Sequence, residues 1–354
     1  MVTGAPFIAG DWGTTRLRLT LCDARAAALE TREGPGAAAA SGRFAQIFDE
    51  LTRGWIDRHG PLPAVLCGMV GSSIGWTQVP YLPCPVAPAR LADACASLRD
   101  GRIRIVPGLS CRNRFRAPDA MRGEETQIVG ALRLDLRLAR GRRVLCHPGT
   151  HTKWVMLEAG TVREILSAPT GEIYASLRDH SVLVRVPAAA PATLDAPGTL
   201  DAPGTPDAAG TPDAAGTPDA AGTLDAPGTL DAAAFARGVA EFNEFPQAQL
   251  VHRLFECRSR QLTGELDARE AAAYLSGLLI ASDVHGALEL AFTGSSGVAD
   301  AITLIGAPAL TRLYAEALAA HGRTAAVIDG DAAALAGLAA IHLELSRSGC
   351  VHAS

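Results

Sequence analysis

Lysine is almost absent from this sequence. Of its 32 lysines and arginines only Lys153 is a lysine, and the formal net charge of −5 comes with no long basic run. Proteins that bind nucleic acids normally carry a basic patch, so the composition argues against a nucleic-acid partner. An ammonium is a compact point charge, whereas a guanidinium is a planar fork. A single lysine in an arginine-rich chain therefore indicates a site where arginine does not fit.

Long apolar runs and paired cysteines are missing as well. We find no apolar stretch of transmembrane length, and the N-terminus lacks the charged and then apolar segments of a signal peptide. The eight cysteines are scattered and none forms a Cys-x-x-Cys pair, so we expect reduced thiols and no zinc site. These features predict a cytoplasmic protein without a membrane partner.

Three common catalytic motifs do not occur. The sequence has no Walker A pattern, no Gly-x-Ser-x-Gly nucleophile elbow and no His-Glu-x-x-His pair. A P-loop kinase, an α/β-hydrolase and a zinc protease of that type are therefore not indicated.

The length and two similar segments predict two domains. The chain has 354 residues, which is too long for one compact core. In residues 7–21 an apolar strand, a tight polar turn and an alternating strand follow one another, and residues 144–157 repeat this order. We predict an α/β protein of two related lobes, residues 1–140 and 141–354, with a cleft between them.

The rest of the chain shows helical and strand periodicity around one foreign segment. We predict a third strand over 24–31, a long loop over 68–85, a helix from residue 123, and helices over 44–58, 235–254, 268–290, 308–320 and 331–345. Residues 193–233 repeat a six-residue unit rich in Pro, Gly and Ala. Such a segment buries too little apolar surface to offset its chain entropy. We therefore predict a disordered insertion over about residues 187–233.

The first polar turn suits a phosphate. It contains Asp11, Gly13, Thr14 and Thr15. Glycine lets the backbone approach a phosphate closely, threonine hydroxyls add donors, and a carboxylate suits hydrated Mg²⁺. An ordinary hairpin turn that begins with Asp has the same residues, so this motif alone leaves both interpretations open.

The second turn has similar chemistry. It contains Gly149, Thr150 and Thr152, and Lys153 follows. The glycine and the hydroxyls suit a phosphate, and an ammonium neutralises phosphate charge as a point donor. This is the site that the single lysine indicates.

Two further segments carry candidate groups. Glu124 and Glu125 stand at a predicted helix start, where carboxylates either stabilise the positive helix end or serve as a general base. The loop over 68–85 contains Trp76 and Tyr81, whose rings suit the floor of a sugar pocket or the packed interior of a loop.

These segments together resemble one family. The series DWGTT, GMVGS, PY-x-PCP, MRGEETQ, PGTH-x-KW and TGE, in this order, is similar to the 2-dehydro-3-deoxygalactonokinases, a branch of the sugar kinase/Hsp70/actin superfamily. The resemblance covers almost the whole chain except the repeat. It implies the actin/hexokinase-like, ribonuclease H-like fold, and phosphorylation of 2-dehydro-3-deoxy-D-galactonate at the 6-hydroxyl with ATP and Mg²⁺ in galactonate catabolism.

The resemblance also implies roles for residues. It places Asp11 near Mg²⁺, Gly13, Thr14 and Thr15 in the first phosphate loop, Gly149, Thr150, Thr152 and Lys153 in the second, and Gly306 against adenosine. It implies Glu124 or Glu125 as the general base and leaves the choice open. It suggests Arg16, Gly71, Ser72, Trp76 and Arg122 as substrate-binding residues.

The sequence departs from the family pattern in two places, and other functions stay open. The repeat is foreign to the family, and residues 281–283 read Ala-Ser-Asp where we expect glycine and a longer polar side chain. The alternatives are a kinase for another sugar acid, a phosphohydrolase of the exopolyphosphatase type, and a non-catalytic sensor of ATP or sugar. The sequence leaves a homo-oligomer open.

Overall fold

The fold is built from three β-sheets and ten α-helices in the residues that the computed structural model describes, which are 5–184, 230–292 and 301–351. The strands are β1 (Phe7–Trp12), β2 (Arg16–Cys22), β3 (Ala28–Pro35), β4 (Ala64–Gly68), β5 (Leu82–Pro83), β6 (Ala96–Leu98), β7 (Ile103–Ile105), β8 (Leu109–Arg112), β9 (Pro118–Met121), β10 (Arg142–His147), β11 (Thr152–Glu158), β12 (Thr161–Ala168), β13 (Ala301–Gly306) and β14 (Ala325–Asp329). The helices are α1 (Phe44–His59), α2 (Ala89–Asp93), α3 (Glu124–Leu134), α4 (Thr170–His180), α5 (Ala232–Glu244), α6 (Leu250–Arg253), α7 (Glu256–Leu262), α8 (Ala268–Phe292), α9 (Pro308–Ala320) and α10 (Gly330–Val351).

The two large sheets share one topology. The first has the order β3-β2-β1-β4-β7-β6 and the second the order β12-β11-β10-β13-β14. In both, an antiparallel meander of three strands is extended by parallel strands, β4 beside β1 and β13 beside β10. The predicted strand, turn and strand therefore open each sheet, as β1–β2 and β10–β11. The small third sheet, β5-β8-β9, was not expected from the sequence.

Two helices lie in a shared core between the large sheets. That core contains Cys67 of the first sheet, Leu145 of the second, Ile128 of α3 and Leu338 of α10. The backbones of α3 and α10 touch, because a Cβ added at Gly130 would lie 1.8 Å from the Ala333 carbonyl oxygen. The predicted lobe boundary near residue 140 stays a prediction. The last helix, α10, belongs to the second predicted lobe in sequence but packs on α3 of the first.

Several element boundaries differ from the sequence-based expectation. The helix expected over 235–254 is two helices, α5 and α6, and the third strand lies later than 24–31, over Ala28–Pro35. The predicted insertion lies outside the described residues as far as residue 229. Its last residues belong to α5, where the Asp231 carboxylate accepts a hydrogen bond from the Ala234 amide at 2.9 Å. An N-cap of this kind satisfies an otherwise unpaired amide.

The helix α8 corrects one further expectation. Over Ala268–Leu290 it is long and apolar enough, by length and composition, to cross a membrane, and 67% of the apolar window is buried inside the protein. Its side chains Tyr274 and Leu278 are fully buried in the core beside the second sheet. Burial of most of its surface accounts for the apolar composition of this core helix.

Candidate active site

The first polar turn joins β1 to β2 and is held by the next segment of chain. The Gly13 amide bonds to the Arg16 carbonyl at 2.9 Å, which closes the turn. The amides of residues 36–38 then bond to the carbonyl oxygens of Thr15, Gly13 and Thr14 at 3.0, 2.9 and 3.0 Å. These hydrogen bonds hold the backbone of the turn from the side of residues 36–38. A ligand on the opposite side would therefore meet a backbone of fixed shape.

Asp11 stands at the end of β1, beside this turn, in a negative field. Its Oδ1 lies 3.7 Å from the Cys67 sulfur. Burial raises the pKa of Asp11 to about 6, and the negative charges of Asp331 and Glu124 add to the rise, while Arg18 opposes it. A carboxylate in such a field attracts a cation.

Glu124 and Glu125 reach this place because two glycines allow a close approach. Gly68 ends β4 with a φ of 87°, and Gly123 precedes α3 with a φ of 111°, both unfavourable for residues with a Cβ. A Cβ on Gly123 would lie 3.6 Å from the Gly68 Cα. The start of α3 therefore packs against the end of β4, the strand that pairs with β1 beside Asp11.

The two glutamates are held differently. Glu125 is 1% exposed, and its carboxylate accepts bonds from the Gly123 amide at 2.6 Å and from the Thr126 hydroxyl at 3.0 Å. Glu124 is partly exposed and accepts a bond from the Arg122 amide at 3.1 Å. Burial, with the charge of Glu124, raises the pKa of Glu125 to about 8. Burial also raises the pKa of Glu124, but the charge of Lys153 opposes that rise.

The second turn, after β10, lies against the start of α4. The Glu172 amide bonds to the Thr150 carbonyl at 3.0 Å, and a Cβ on Gly171 would lie 2.5 Å from the Gly149 carbonyl oxygen. Gly149 and Thr150 are partly exposed. Thr152 is fully buried, and its hydroxyl lies 2.6 Å from the Tyr314 hydroxyl. Its hydroxyl therefore faces the core and not the turn's open side.

Lys153 lies on β11, directly after the second turn, and its ammonium bonds to two neighbouring strands. Its Nζ donates hydrogen bonds to the Ala120 carbonyl at 2.9 Å and to the Ser167 hydroxyl at 2.7 Å. Ser167 in turn donates to the Asp119 carboxylate at 2.6 Å. The only lysine thus bonds to groups on β9 and β12, and its charge acts on Glu124. Its predicted contact with the nucleotide phosphates stays a prediction.

Three glycine-containing segments meet at one end of the second sheet. A Cβ on Gly306, at the end of β13, would lie 3.6 Å from the Pro148 carbonyl oxygen of the second turn. A Cβ on Gly330, at the start of α10, would lie 3.0 Å from the Gly306 Cα. The Gln127 amide group bonds to the Gly330 carbonyl at 3.4 Å and lies 3.1 Å from His147 Nδ1, and so joins α3 to this place.

The loop over 68–85 brings some of its candidates together. The Arg122 guanidinium stacks 4.3 Å from the Tyr81 ring and donates to the Val79 carbonyl at 2.8 Å. Its Nη1 is buried without a hydrogen-bond partner, and a Cβ on Gly71 would lie 2.9 Å from it. An anion bound beside Arg122 would give this buried N–H donor the hydrogen-bond partner that it lacks.

Other candidates in and near this loop serve its own structure. The Ser72 hydroxyl donates to the Met69 carbonyl at 2.7 Å. The Trp76 ring packs against Trp12 and Phe48, with ring centroids 6.4 and 5.7 Å apart. Arg16 has a side chain that is 57% exposed and lies 3.7 Å from Glu33. The partly buried Trp76 thus packs against the hydrophobic core beside the first sheet.

Sequence reasoning missed one ion pair at the site. Arg18 on β2 pairs with Asp331 in the first turn of α10. Arg18 is the cross-strand partner of Asp11, so the hairpin pairing carried a signal for it. Asp331 carried no such signal, because 320 residues separate the two carboxylates.

In the described residues no group of three or more His, Cys, Asp or Glu side chains is arranged to hold a metal ion. Mg²⁺ does not need such a cage, because one or two carboxylates, phosphate oxygens and waters complete its shell. Asp11, with Asp331 and Glu124 nearby, fits that requirement.

The repeated sheet topology and the two turns place the protein in the two-lobed actin/hexokinase-like class. The chain belongs to the 2-keto-3-deoxy-galactonokinase family, whose sequence model matches residues 11–202 and 220–341. The predicted family and fold class are thereby confirmed.

Individual relatives agree over nearly the full length. The chain is 34% identical to a "Probable 2-dehydro-3-deoxygalactonokinase" of Rhizobium meliloti, over 96% of this chain and 97% of the relative. It is 30% identical to the 2-dehydro-3-deoxygalactonokinase of Escherichia coli, over 95% and 97%. A crystal structure of a Sinorhizobium meliloti protein assigned to the same activity has a TM-score of 0.75 at 31% identity, covering 95% of this chain and 97% of that one.

Proposed function

We propose that this protein transfers the γ-phosphoryl group of ATP to the 6-hydroxyl of 2-dehydro-3-deoxy-D-galactonate, giving the 6-phosphate and ADP. The observation that carries the proposal is the placement of Asp11 and the Glu124–Glu125 pair at one point between the first turn and α3. Family membership and the names of the relatives support this substrate. The cytoplasmic location remains a prediction.

Glu124 is the general base in this proposal. Glu124 as a residue is partly exposed, whereas Glu125 is buried and its carboxylate is committed to the Gly123 amide and the Thr126 hydroxyl. A base must reach the proton that it removes and must be ionised. The charge of Lys153 favours the ionised form of Glu124. Glu125 then acts by fixing the start of α3.

The phosphates lie between the two turns in this proposal. Gly13, Thr14 and Thr15 take one side, Gly149 and Thr150 the other, and Gly306 stands where the adenosine begins. Mg²⁺, bound through Asp11 and waters, would neutralise charge on the phosphate oxygens. Glu124 takes the proton of the 6-hydroxyl, whose oxygen forms a bond to the γ-phosphorus as the bond to ADP breaks.

The substrate's carboxylate lies near Arg122 in this proposal. The unpartnered Nη1 of Arg122 and the Tyr81 hydroxyl, 3.5 Å from Arg122 Nε, supply donors on that side of the cleft. Guanidinium groups bind carboxylates through paired, charge-assisted hydrogen bonds. Trp76 and Ser72 support the loop and do not contact the sugar acid.

A coupled ADP-release assay with Mg-ATP tests the function. The acceptor panel is 2-dehydro-3-deoxygalactonate, its gluconate epimer, galactonate, glucose and no acceptor. We expect turnover with the first compound alone. Equal release without an acceptor would replace the kinase with a hydrolase, and turnover with the epimer would change the substrate. No release from folded protein that still binds ATP would favour a sensor.

A further inference from the structure

A carboxylate in the middle of α8 collects three hydrogen bonds from other elements. Asp283 Oδ1 accepts from the Trp154 indole at 2.9 Å, and Oδ2 accepts from the Thr170 hydroxyl at 2.7 Å and the Tyr314 hydroxyl at 2.6 Å. Trp154, Thr170 and Tyr314 are all buried. Because the acceptor is a carboxylate, these bonds are stronger than bonds between neutral groups.

The three donors come from the elements that surround the second turn. Trp154 lies on β11, Thr170 is the first residue of α4, and Tyr314 belongs to α9. The Tyr314 hydroxyl also lies 2.6 Å from the hydroxyl of Thr152, the first residue of β11. One carboxylate thus ties β11, α4 and α9 to α8.

The turn over 148–151 is joined directly to two of the elements that Asp283 ties together, β11 and α4. It begins where β10 ends and finishes at Thr152, and it lies against Gly306 through Pro148 and against the start of α4. There the Glu172 amide bonds to the Thr150 carbonyl at 3.0 Å, and the Gly171 and Gly149 backbones touch. Movement of β11 or α4 by a fraction of an ångström would therefore move Gly149 and Thr150.

We infer that Asp283 is a positioning residue for the nucleotide: it holds Thr170 directly and Thr152 through Tyr314, and so fixes the second turn in the shape that binds the phosphates. The inference rests on the proposed function, in which Gly149 and Thr150 contact ATP. Asp283 touches no substrate in it. Asp283, which lies in the segment where the sequence departs from the family pattern, thereby gains a role at the nucleotide face.

A matched pair of tyrosines tests the inference. The Tyr314 hydroxyl contacts Asp283 and Thr152, and the Tyr274 hydroxyl contacts Glu241 and Glu256 at 2.6 and 2.5 Å. Both rings are buried, and both hydroxyls have two short contacts. Tyr314→Phe and Tyr274→Phe therefore remove equivalent groups, one beside the second turn and one in a cluster of ion pairs on α5 and α7.

The measurements are ADP affinity by calorimetry, the two KM values and the thermal midpoint, for Tyr314→Phe, Asp283→Asn and Tyr274→Phe. We expect the first two to weaken ADP binding and raise the KM for ATP about tenfold, the effect of losing one charge-assisted hydrogen bond. The KM for the sugar acid should stay within about twofold. Tyr274→Phe should lower the midpoint and leave all three constants unchanged.

Equal ADP affinity in Tyr314→Phe and wild type would overturn the inference, as would a parallel rise of both KM values. If Asp283→Asn does not fold, Tyr314→Phe decides alone. Failure of the proposed function is a different result, because it would appear as absent turnover in the wild type. Calorimetry with ADP would still measure the role of Asp283 in that case.

Discussion

Adjacent glutamates at the start of α3 acquire different chemistry from their surroundings. The side chain of Glu125 turns inward, where burial and the neighbouring charge favour its neutral form. The side chain of Glu124 stays partly exposed and feels the charge of Lys153. One residue of difference on a helix is a rotation of about 100°, which suffices to separate a buried from an accessible group.

The first prediction separates the roles of the two glutamates. Glu124→Gln should lower kcat by about 10²–10⁴-fold, the usual loss for a general base, with both KM values little changed. Glu125→Gln should lower kcat by less than about tenfold, because its carboxylate does not contact the substrate. Steady-state kinetics with both substrates measure this. The reverse order of effects would make Glu125 the base.

The second prediction concerns pH and stability. The pKa of Glu125 is raised from 4.5 to about 8 in the folded protein, so the native state keeps a proton that the unfolded chain releases. The free energy of unfolding should therefore decrease as the pH rises from about 4.5 to 8, by at most about 1.4 kcal/mol per pH unit. Below this window the full contribution is present.

Urea denaturation at several pH values measures that decrease. Glu125→Gln removes the titrating group and should flatten the decrease within the window. Glu50→Gln, at an exposed carboxylate on α1 that accepts a bond from Gln46, should keep the wild-type slope. A slope in Glu125→Gln equal to that of the wild type would assign the decrease to other groups, of which Asp11 is the first to test.

At the scale of elements, glycines set how closely helices pack. Helices α5 and α8 touch through their backbones, because a Cβ on Gly277 would lie 2.3 Å from the Phe235 carbonyl oxygen. In the same helix, Gly286 has no neighbouring atom within 4 Å of its would-be Cβ. The helix α8 therefore contains one glycine that packing requires and one that it does not.

The third prediction uses this pair. Gly277→Ala should destabilise the protein by about 1–3 kcal/mol, because overpacking forces the two backbones apart. Gly286→Ala should stabilise it by about 0.5–1 kcal/mol, because alanine favours the helix. Denaturant midpoints with unchanged m-values measure both. A loss of stability in Gly286→Ala would mean that the space beside it is not free.

At the scale of the whole molecule, the cleft is bridged at its base. Arg18 belongs to the first sheet, whereas Asp331 follows the last strand of the second, and their ion pair lies beside Asp11. The Asp331 side chain is 59% exposed, and exposed pairs contribute about 0–1 kcal/mol to stability. We therefore expect the Arg18–Asp331 pair to affect the position of the second sheet relative to the first more than the free energy of unfolding.

The fourth prediction follows from this position. Arg18→Met and Asp331→Asn should each raise the KM for Mg-ATP severalfold, with little change in the thermal midpoint. The double variant should be no worse than the singles, because both remove one shared contact. Arg58→Met, which removes an exposed pair with Glu30 on the first half, is the control and should have no kinetic effect. Additive effects in the double variant would show that the two residues act separately.

The sequence by itself determined the parts that are local. Glycine, threonine and aspartate in residues 11–15 favour a tight polar turn between strands, and glycine and threonine recur at 149–152, again between two apolar strands. Because a hairpin brings together residues close in the chain, its register also places Arg18 across from Asp11. Alternation and helical spacing likewise predicted the strands of both hairpins and several of the helices, and their order predicted an α/β protein of two related lobes. The actin/hexokinase-like type came from the resemblance to the family.

Only the tertiary structure decided where distant side chains meet. Lys153 belongs to the strand after the second turn, and the pairing of that strand with β12 and its position beside β9 bring its ammonium to Ser167 and Ala120. Asp283 gains its three donors from helices and a strand more than 30 residues away. Such contacts depend on sheet register and on helix crossings made by glycine, which local patterns in a single sequence do not encode.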